Sequence, residues 1–134
     1  MLRRDFQVLS ALRVREANAL ARVRLYDGAY YLGGLAVECA SKSSIARLTQ
    51  RHEFPDLRRV QRAYTHNREE LLRLAGLEPH LNATEPAVRR AWATAKLWTV
   101  ETRYNVGRPK TEVLDFLEAV AGRHGVHRWL KQFW

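Results

Sequence analysis

Residues 26–47 read YDGAYYLGGLAVECASKSSIAR, and what this stretch becomes decides the fold. Ala29, Tyr30, Gly33, Ala36, Val37 and Ala40 recur at steps of three and four, the repeat of one helix face. The face is small, and Gly33, Gly34, Ser41, Ser43 and Ser44 make it smaller. Two glycines cost a helix about 1 kcal/mol each against alanine, a cost that close approach of another helix offsets. The pattern predicts a central helix over about residues 28–51, with Asp27 and Gly28 as a short break before it and Asp27 as its N-cap. Cys39, on the small-residue side, reads as a small buried hydrophobe rather than a nucleophile.

Working outward, Phe6, Leu9, Leu12, Leu20 and Val23 mark a first helix over about 3–24. Residues 52–65, HEFPDLRRVQRAYT, contain Pro55 and read as a connection with at most one short turn. Thr65 or Asn67 can cap a short third helix at 67–75, which Gly76 closes. LEPHLN, 77–82, reads as a loop. Thr84, Glu85 and Pro86 start a fourth helix predicted over 85–104, with Val88, Trp92, Ala95, Thr99 and Thr102 on one face and Leu97, Val100 and Tyr104 on another. Gly107 and Pro109 end it. A fifth helix spans 110–121 with Val113, Leu117 and Val120, stopped by Gly122; Val126, Trp129, Leu130 and Phe133 extend the pattern into the tail. No alternating β-branched run is bounded by turn pairs. The prediction is one all-α domain over 1–134, an up-and-down helical bundle with a short third helix and a C-terminal helical extension.

The composition agrees with a packed domain and sets its charge. The 134 residues include 46% hydrophobic and 28% charged side chains, values of a chain that buries a core. Lys and Arg number 23 against 14 Asp and Glu, a formal charge of +9, and arginine holds 19 of the 23. Such a chain attracts polyanions, and arginine's planar fork suits phosphate. No apolar run approaches the ~20 residues of a membrane helix, and MLRRDFQVL lacks the apolar stretch of a secretory signal. A cytoplasmic protein with no membrane association is expected. One cysteine excludes an intrachain disulfide and a Cys-rich zinc site.

Among chemistries, several drop out. There is no Gly-x-Ser-x-Gly turn, and Gly33-Gly34 lies within a helical pattern rather than after a strand, so no phosphate loop is present. His124 and His127 are spaced for a shared metal, but Gly125 between them breaks the helix that would hold them. No metal and no cofactor are expected. Glu38 and Lys42 stand at i,i+4 in the favourable order.

Three segments together carry a resemblance. Tyr26, Asp27, Ala29, Tyr31, Ala36, Val37, Glu38, Ala40 and Lys42 match the Tyr-Asp-x-Ala-x-Tyr and Ala-Val-Glu-x-Ala-x-Lys positions of HEPN domains (higher eukaryotes and prokaryotes nucleotide-binding). THNREELLRLAGL, 65–77, resembles that family's short His-containing helix, and Glu101-Thr102-Arg103-Tyr104 resembles its Arg-Tyr motif. The resemblance spans about 26–120. It implies a HEPN-like bundle that pairs as a homodimer, associates with RNA or nucleotides, and acts beside a minimal nucleotidyltransferase-domain partner in toxin–antitoxin or defence systems. Active members are metal-independent ribonucleases in which an arginine is followed, after four to six residues, by a histidine.

This sequence departs from that pattern, because no histidine follows Arg103 before His124. The spacing does occur at Arg47–His52, Arg59–His66 and Arg73–His80, in other segments. The resulting expectation is a homodimeric, non-catalytic RNA- or nucleotide-associated protein whose binding residues are Arg103, Tyr104, Asn105, Glu38 and Lys42, with Glu38 orienting Arg103. The alternatives are a metal-independent endoribonuclease using Arg103 with a histidine from elsewhere, His66 foremost, and a purely structural helical bundle.

Overall fold

The computed structural model describes residues 1–49 and 56–134. Every regular element among them is helical. The chain runs α1 (Arg3–Arg22), α2 (Tyr26–Arg47), α3 (Leu57–Ala63), α4 (Arg68–Leu74), α5 (Glu78–Ala83), α6 (Pro86–Ala95), a 3-10 helix (Val100–Tyr104), α7 (Lys110–Ala121) and α8 (Val126–Leu130).

α2 is the central element, as its small face predicts. Ala29, Ala36, Val37 and Ala40 are fully buried, and α1, α4, α7, α8 and the 3-10 helix all pack on it. α1 and α2 form an antiparallel hairpin: Leu20 lies at Gly28, while the Ser10 hydroxyl donates to the Ala36 carbonyl at 2.6 Å. The link between them is short because α1 ends in a Schellman motif. Leu25 N–H bonds the Leu20 carbonyl at 2.9 Å and Arg24 N–H that of Ala21 at 3.1 Å, with Arg24 in the left-handed region at φ 65°. α4 ends the same way, with Gly76 at φ 70° in the left-handed position.

The core joins α2 to α6, α7 and α8 through Val37, Leu71, Trp92, Trp98, Phe116 and Leu130. The large aromatics lie within the protomer: Trp92, Trp98 and Trp129 are buried, and Phe133 and Trp134 are half-buried against the core. Among the described residues no helix is long and apolar enough to cross a membrane.

Five predicted boundaries differ from the structure. Asp27 does not cap α2, which starts one residue earlier at Tyr26; Gly28 is helical, and the Asp27 carboxylate instead accepts the N–H groups of Gly107 (2.9 Å) and Arg108 (2.8 Å). At its other end α2 stops at Arg47, short of the predicted end; residues 50 and 51 fall outside the described ones. The 57–63 part of the predicted connection is the two-turn helix α3, capped by Asp56, whose side chain accepts from Arg58 N–H at 3.0 Å. LEPHLN becomes α5, with Pro79 in a first turn that needs no donor there. Most consequentially, the predicted helix 85–104 breaks after Ala95. Thr99 is extended (φ −130°, ψ 159°), so Trp98 turns inward onto α2 before the chain resumes as a 3-10 helix.

Candidate functional site

The middle of α2 presents a carboxylate to the interior. Glu38 is buried, and Lys42, one turn on, donates from Nζ to Glu38 Oε1 at 2.8 Å. The second partner comes from the short linker between α3 and α4. His66 Nδ1 lies 3.0 Å from each Glu38 oxygen. Local turn chemistry sets its place: Thr65 Oγ1 accepts from Asn67 N–H at 3.0 Å, and Asn67 Oδ1 caps α4 by accepting from Glu70 N–H at 2.9 Å. An ionised carboxylate only accepts hydrogen bonds. Nδ1 of His66 therefore donates, on a side chain that is 50% exposed.

Behind this pair sits Arg68, 2% exposed at the start of α4. Its Nε donates to the Ala95 carbonyl at 3.1 Å, Nη2 donates to the Gly34 carbonyl, and the guanidinium lies 4.1 Å over the Trp98 ring. Nη1 has no partner among the described residues. Burial pulls its pKa down to about 9, against the charge of Glu38, which favours the protonated form. Arg68 ties α2 to the end of α6. Next to it a cleft of about 350 Å³ opens between Thr65–Glu69 and Lys96–Glu101, with His66, Arg68, Lys96 and Trp98 in its wall.

Thus the structure brings Glu38, Lys42 and His66 together. It does not bring Glu38 to Arg103: both carboxylate oxygens are engaged by Lys42 and His66, and Arg103 is exposed on the 3-10 helix. The predicted helix breaks after Ala95, and Arg103 stands on the separate 3-10 helix instead. Arg103 instead stacks on its neighbour, with its guanidinium carbon 4.8 Å from the centroid of the exposed Tyr104 ring. Tyr104 and Asn105 line a shallow groove with Arg108 and Glu112, which neither Arg103 nor Glu38 lines. That loop is fixed by Asp27, whose carboxyl the Gly107 and Arg108 amides hold below the usual carboxylate range, and by Arg108 lying 3.9 Å over Tyr30.

Of the other arginine–histidine spacings, Arg47–His52 lies partly outside the described residues, and Arg73 and His80 each have other partners. Arg47 Nη1 donates to the Phe133 carbonyl at 3.3 Å, and His52 lies outside the described residues. Arg73 is paired with Glu70 (2.8 Å) and Glu78 (3.5 Å), while His80 stacks near Phe133. His124 meets Glu85 at 2.9 Å, whereas His127 is buried against Trp134. Among the described residues no three His, Cys, Asp or Glu side chains converge on a metal-sized point. Cys39 is half-buried, and its thiol is pushed up by burial first and by the charge of Glu38 second.

Sequence reasoning missed Arg68, and one signal for it was present. A cation in the first turn of a helix opposes the macrodipole, so Arg68 directly after the Asn67 cap needed another reason to be there. Around His66 the surface is cationic and aromatic: α3 carries Arg58, Arg59 and Arg62, and Tyr64 is 80% exposed. No family model matches the chain, and no curated protein or solved structure matches it either.

Proposed function

We propose that this chain is a HEPN-like, RNA- or nucleotide-associated protein that works in the cytoplasm as a homodimer beside a minimal nucleotidyltransferase-domain partner, in a toxin–antitoxin or defence-type system. The observation that carries the binding role is the Arg103–Tyr104 stack. An exposed guanidinium over an exposed phenol ring offers a phosphate contact and a base-stacking face side by side. Among the described residues no histidine hydrogen-bonds Arg103, which favours binding over cleavage for this motif. The +9 charge and the α3 arginines extend the same surface character. Partner docking is supported by the exposed apolar Leu97 and Val106 (93% exposed) on either side of the 3-10 helix.

The test is retention of labelled single-stranded RNA by the purified protein across salt concentrations. Binding should weaken steeply from ~50 to ~200 mM salt, as phosphate contacts do. Arg103→Ala should lower affinity and reduce the salt slope by about one contact, and Tyr104→Ala should lower affinity with the slope unchanged. RNA that is not retained at low salt, or retained equally by both variants, refutes this assignment. Light scattering that reports a monomer at ~100 μM, well above the usual range for stable pairs, refutes the homodimer.

A further inference from the structure

We infer that α3 and the start of α1 form a docking face for an anionic phospholipid surface. This face is not the Arg103–Tyr104 surface. It adjoins Ile45 and Ala46 at the C-terminal end of α2, whereas the loop after the 3-10 helix bonds Asp27 at the other end. α3 has no buried residue, and its large apolar side chains, Leu57, Val60 and Tyr64, stand at i, i+3 and i+7. That spacing puts them on one stripe of the helix, the stripe that ordinarily turns to the core. Here it turns to solvent: Leu57 is 68% exposed, and Val60 and Tyr64 are exposed as well, while only Ala63 packs against the core. Met1, 75% exposed, continues the stripe, since it lines a groove with Val60 and Tyr64. Contiguous exposed apolar side chains of this kind mark an interaction site.

The charge around the stripe selects the partner. Arg58, Arg59 and Arg62 of α3 stand beside it, with Arg4 at the start of α1. The nearby carboxylates serve as caps: Asp56 accepts from Arg58 N–H at 3.0 Å, and Asp5 accepts from Leu2 N–H at 2.7 Å. A partner for this face therefore carries negative charge beside apolar matter. An anionic bilayer is such a partner. Leucine, valine and methionine enter the boundary between headgroups and acyl chains, tyrosine sits at headgroup level, and arginines reach the lipid phosphates. RNA would engage the arginines and stack on Tyr64, but it has no use for Met1, Leu57 and Val60, whose aliphatic side chains neither stack nor hydrogen-bond. Attachment of this kind lies in the interface, so the lack of a spanning helix among the described residues does not bear on it.

The experiment sediments the full chain with vesicles of mixed phosphatidylglycerol and phosphatidylcholine, and with vesicles of phosphatidylcholine alone, at ~50 mM salt, where screening is weak. The mixed vesicles should carry the protein down with a partition constant on the order of 10⁴ M⁻¹, the range of a single acyl anchor. The neutral vesicles should leave it in solution. Because the whole chain is cationic, paired substitutions locate the contact. Arg58→Gln with Arg62→Gln should lower partitioning ~10-fold or more. Arg22→Gln with Arg24→Gln removes the same charge at the far end of α1 and should change it less than about twofold. Leu57→Ser with Val60→Ser keeps every charge and should lower it ~10-fold. Since nothing on α3 is buried, the α3 variants should keep the helical circular dichroism spectrum. No partitioning onto the mixed vesicles overturns the docking face. Equal losses from the two arginine pairs, or no loss from the apolar pair, mark diffuse charge attraction and overturn it too. RNA retention lost by Arg58→Gln with Arg62→Gln while vesicle binding is unchanged assigns α3 to RNA, which is a third refutation.

Discussion

The Trp98 indole occupies the space that a side chain at Gly34 would need. This contact explains a helix that tolerates glycine at its centre: α2 gives up propensity so that the chain after α6 can drop a ring onto its backbone. Trp98 is 2% exposed and cannot retreat. Gly34→Ala should therefore destabilise by about 2–3 kcal/mol despite alanine's better propensity. Gly33→Ala places a Cβ 2.9 Å from Leu117 Cδ2, the end of a flexible side chain, and 3.1 Å from the edge of the buried Phe116 ring, and should cost about 1 kcal/mol, less than Gly34→Ala. Urea unfolding of the two variants gives the order, and equal losses would refute the contact as the cause.

Arg24 marks a second place where backbone geometry and residue type disagree. It fills the left-handed C′ position of α1 at φ 65°, exposed to solvent, a conformation that costs a side-chain-bearing residue roughly 1–2 kcal/mol. Arg24→Gly should stabilise by about 0.5–1 kcal/mol, the unfolded chain's extra freedom offsetting the rest. A lowered urea midpoint would mean that the arginine side chain makes a contact worth more than the strain.

The helical character and the order of elements could be read from periodicity in α1 and α2, and from periodicity together with Gly/Pro punctuation in α4 and α7, which Gly76, Pro109 and Gly122 flank. α5 and the break after Ala95 could not. LEPHLN has the composition of a loop, and the extended Thr99 is set by the long-range fit of Trp98 on Gly34 rather than by any local signal. The same gap governs the site. Glu38 and Lys42 share a helix and were legible as a pair, whereas the approach of His66, twenty-eight residues away, depends on how α4 docks on α2. Arg103 is likewise set by tertiary structure: after the break at Ala95 it stands exposed on the 3-10 helix, while Lys42 and His66 occupy Glu38.

Arg68 tests whether a buried cation stabilises by charge or by bulk. Two carbonyls, an aromatic face and the field of Glu38 surround it, yet Nη1 is unpaired and burial pulls its pKa down to about 9. The desolvation cost and these contacts nearly cancel. Arg68→Met keeps the stem over Trp98 and should change stability by no more than about 1 kcal/mol, whereas Arg68→Ala leaves a void and should cost about 3 kcal/mol. Equal losses in both variants would assign the stabilisation to the guanidinium.

His127 should make the fold sensitive to mild acid. It is 7% exposed at the start of α8, its ring is edge-on to Trp134 at 5.6 Å, and Nε2 has no partner among the described residues. Burial first, and the nearby Lys131 second, lower its pKa from 6.5 to about 4. The folded state therefore holds this ring neutral where the unfolded chain would protonate it. The sign follows: above the unfolded value the effect is absent, and as pH falls from about 6.5 towards 4 the unfolded state binds the extra proton and stability drops. The full shift amounts to about 3 kcal/mol. Asp27, whose carboxyl is also lowered, acts in the same direction but only as pH falls below its ordinary 3.8, so the two windows are separable. Urea unfolding at about pH 7 and about pH 4.5 should show wild type losing about 2–3 kcal/mol more than His127→Leu. An equal loss in the two proteins would mean that the ring is charged, or solvated, in the folded state.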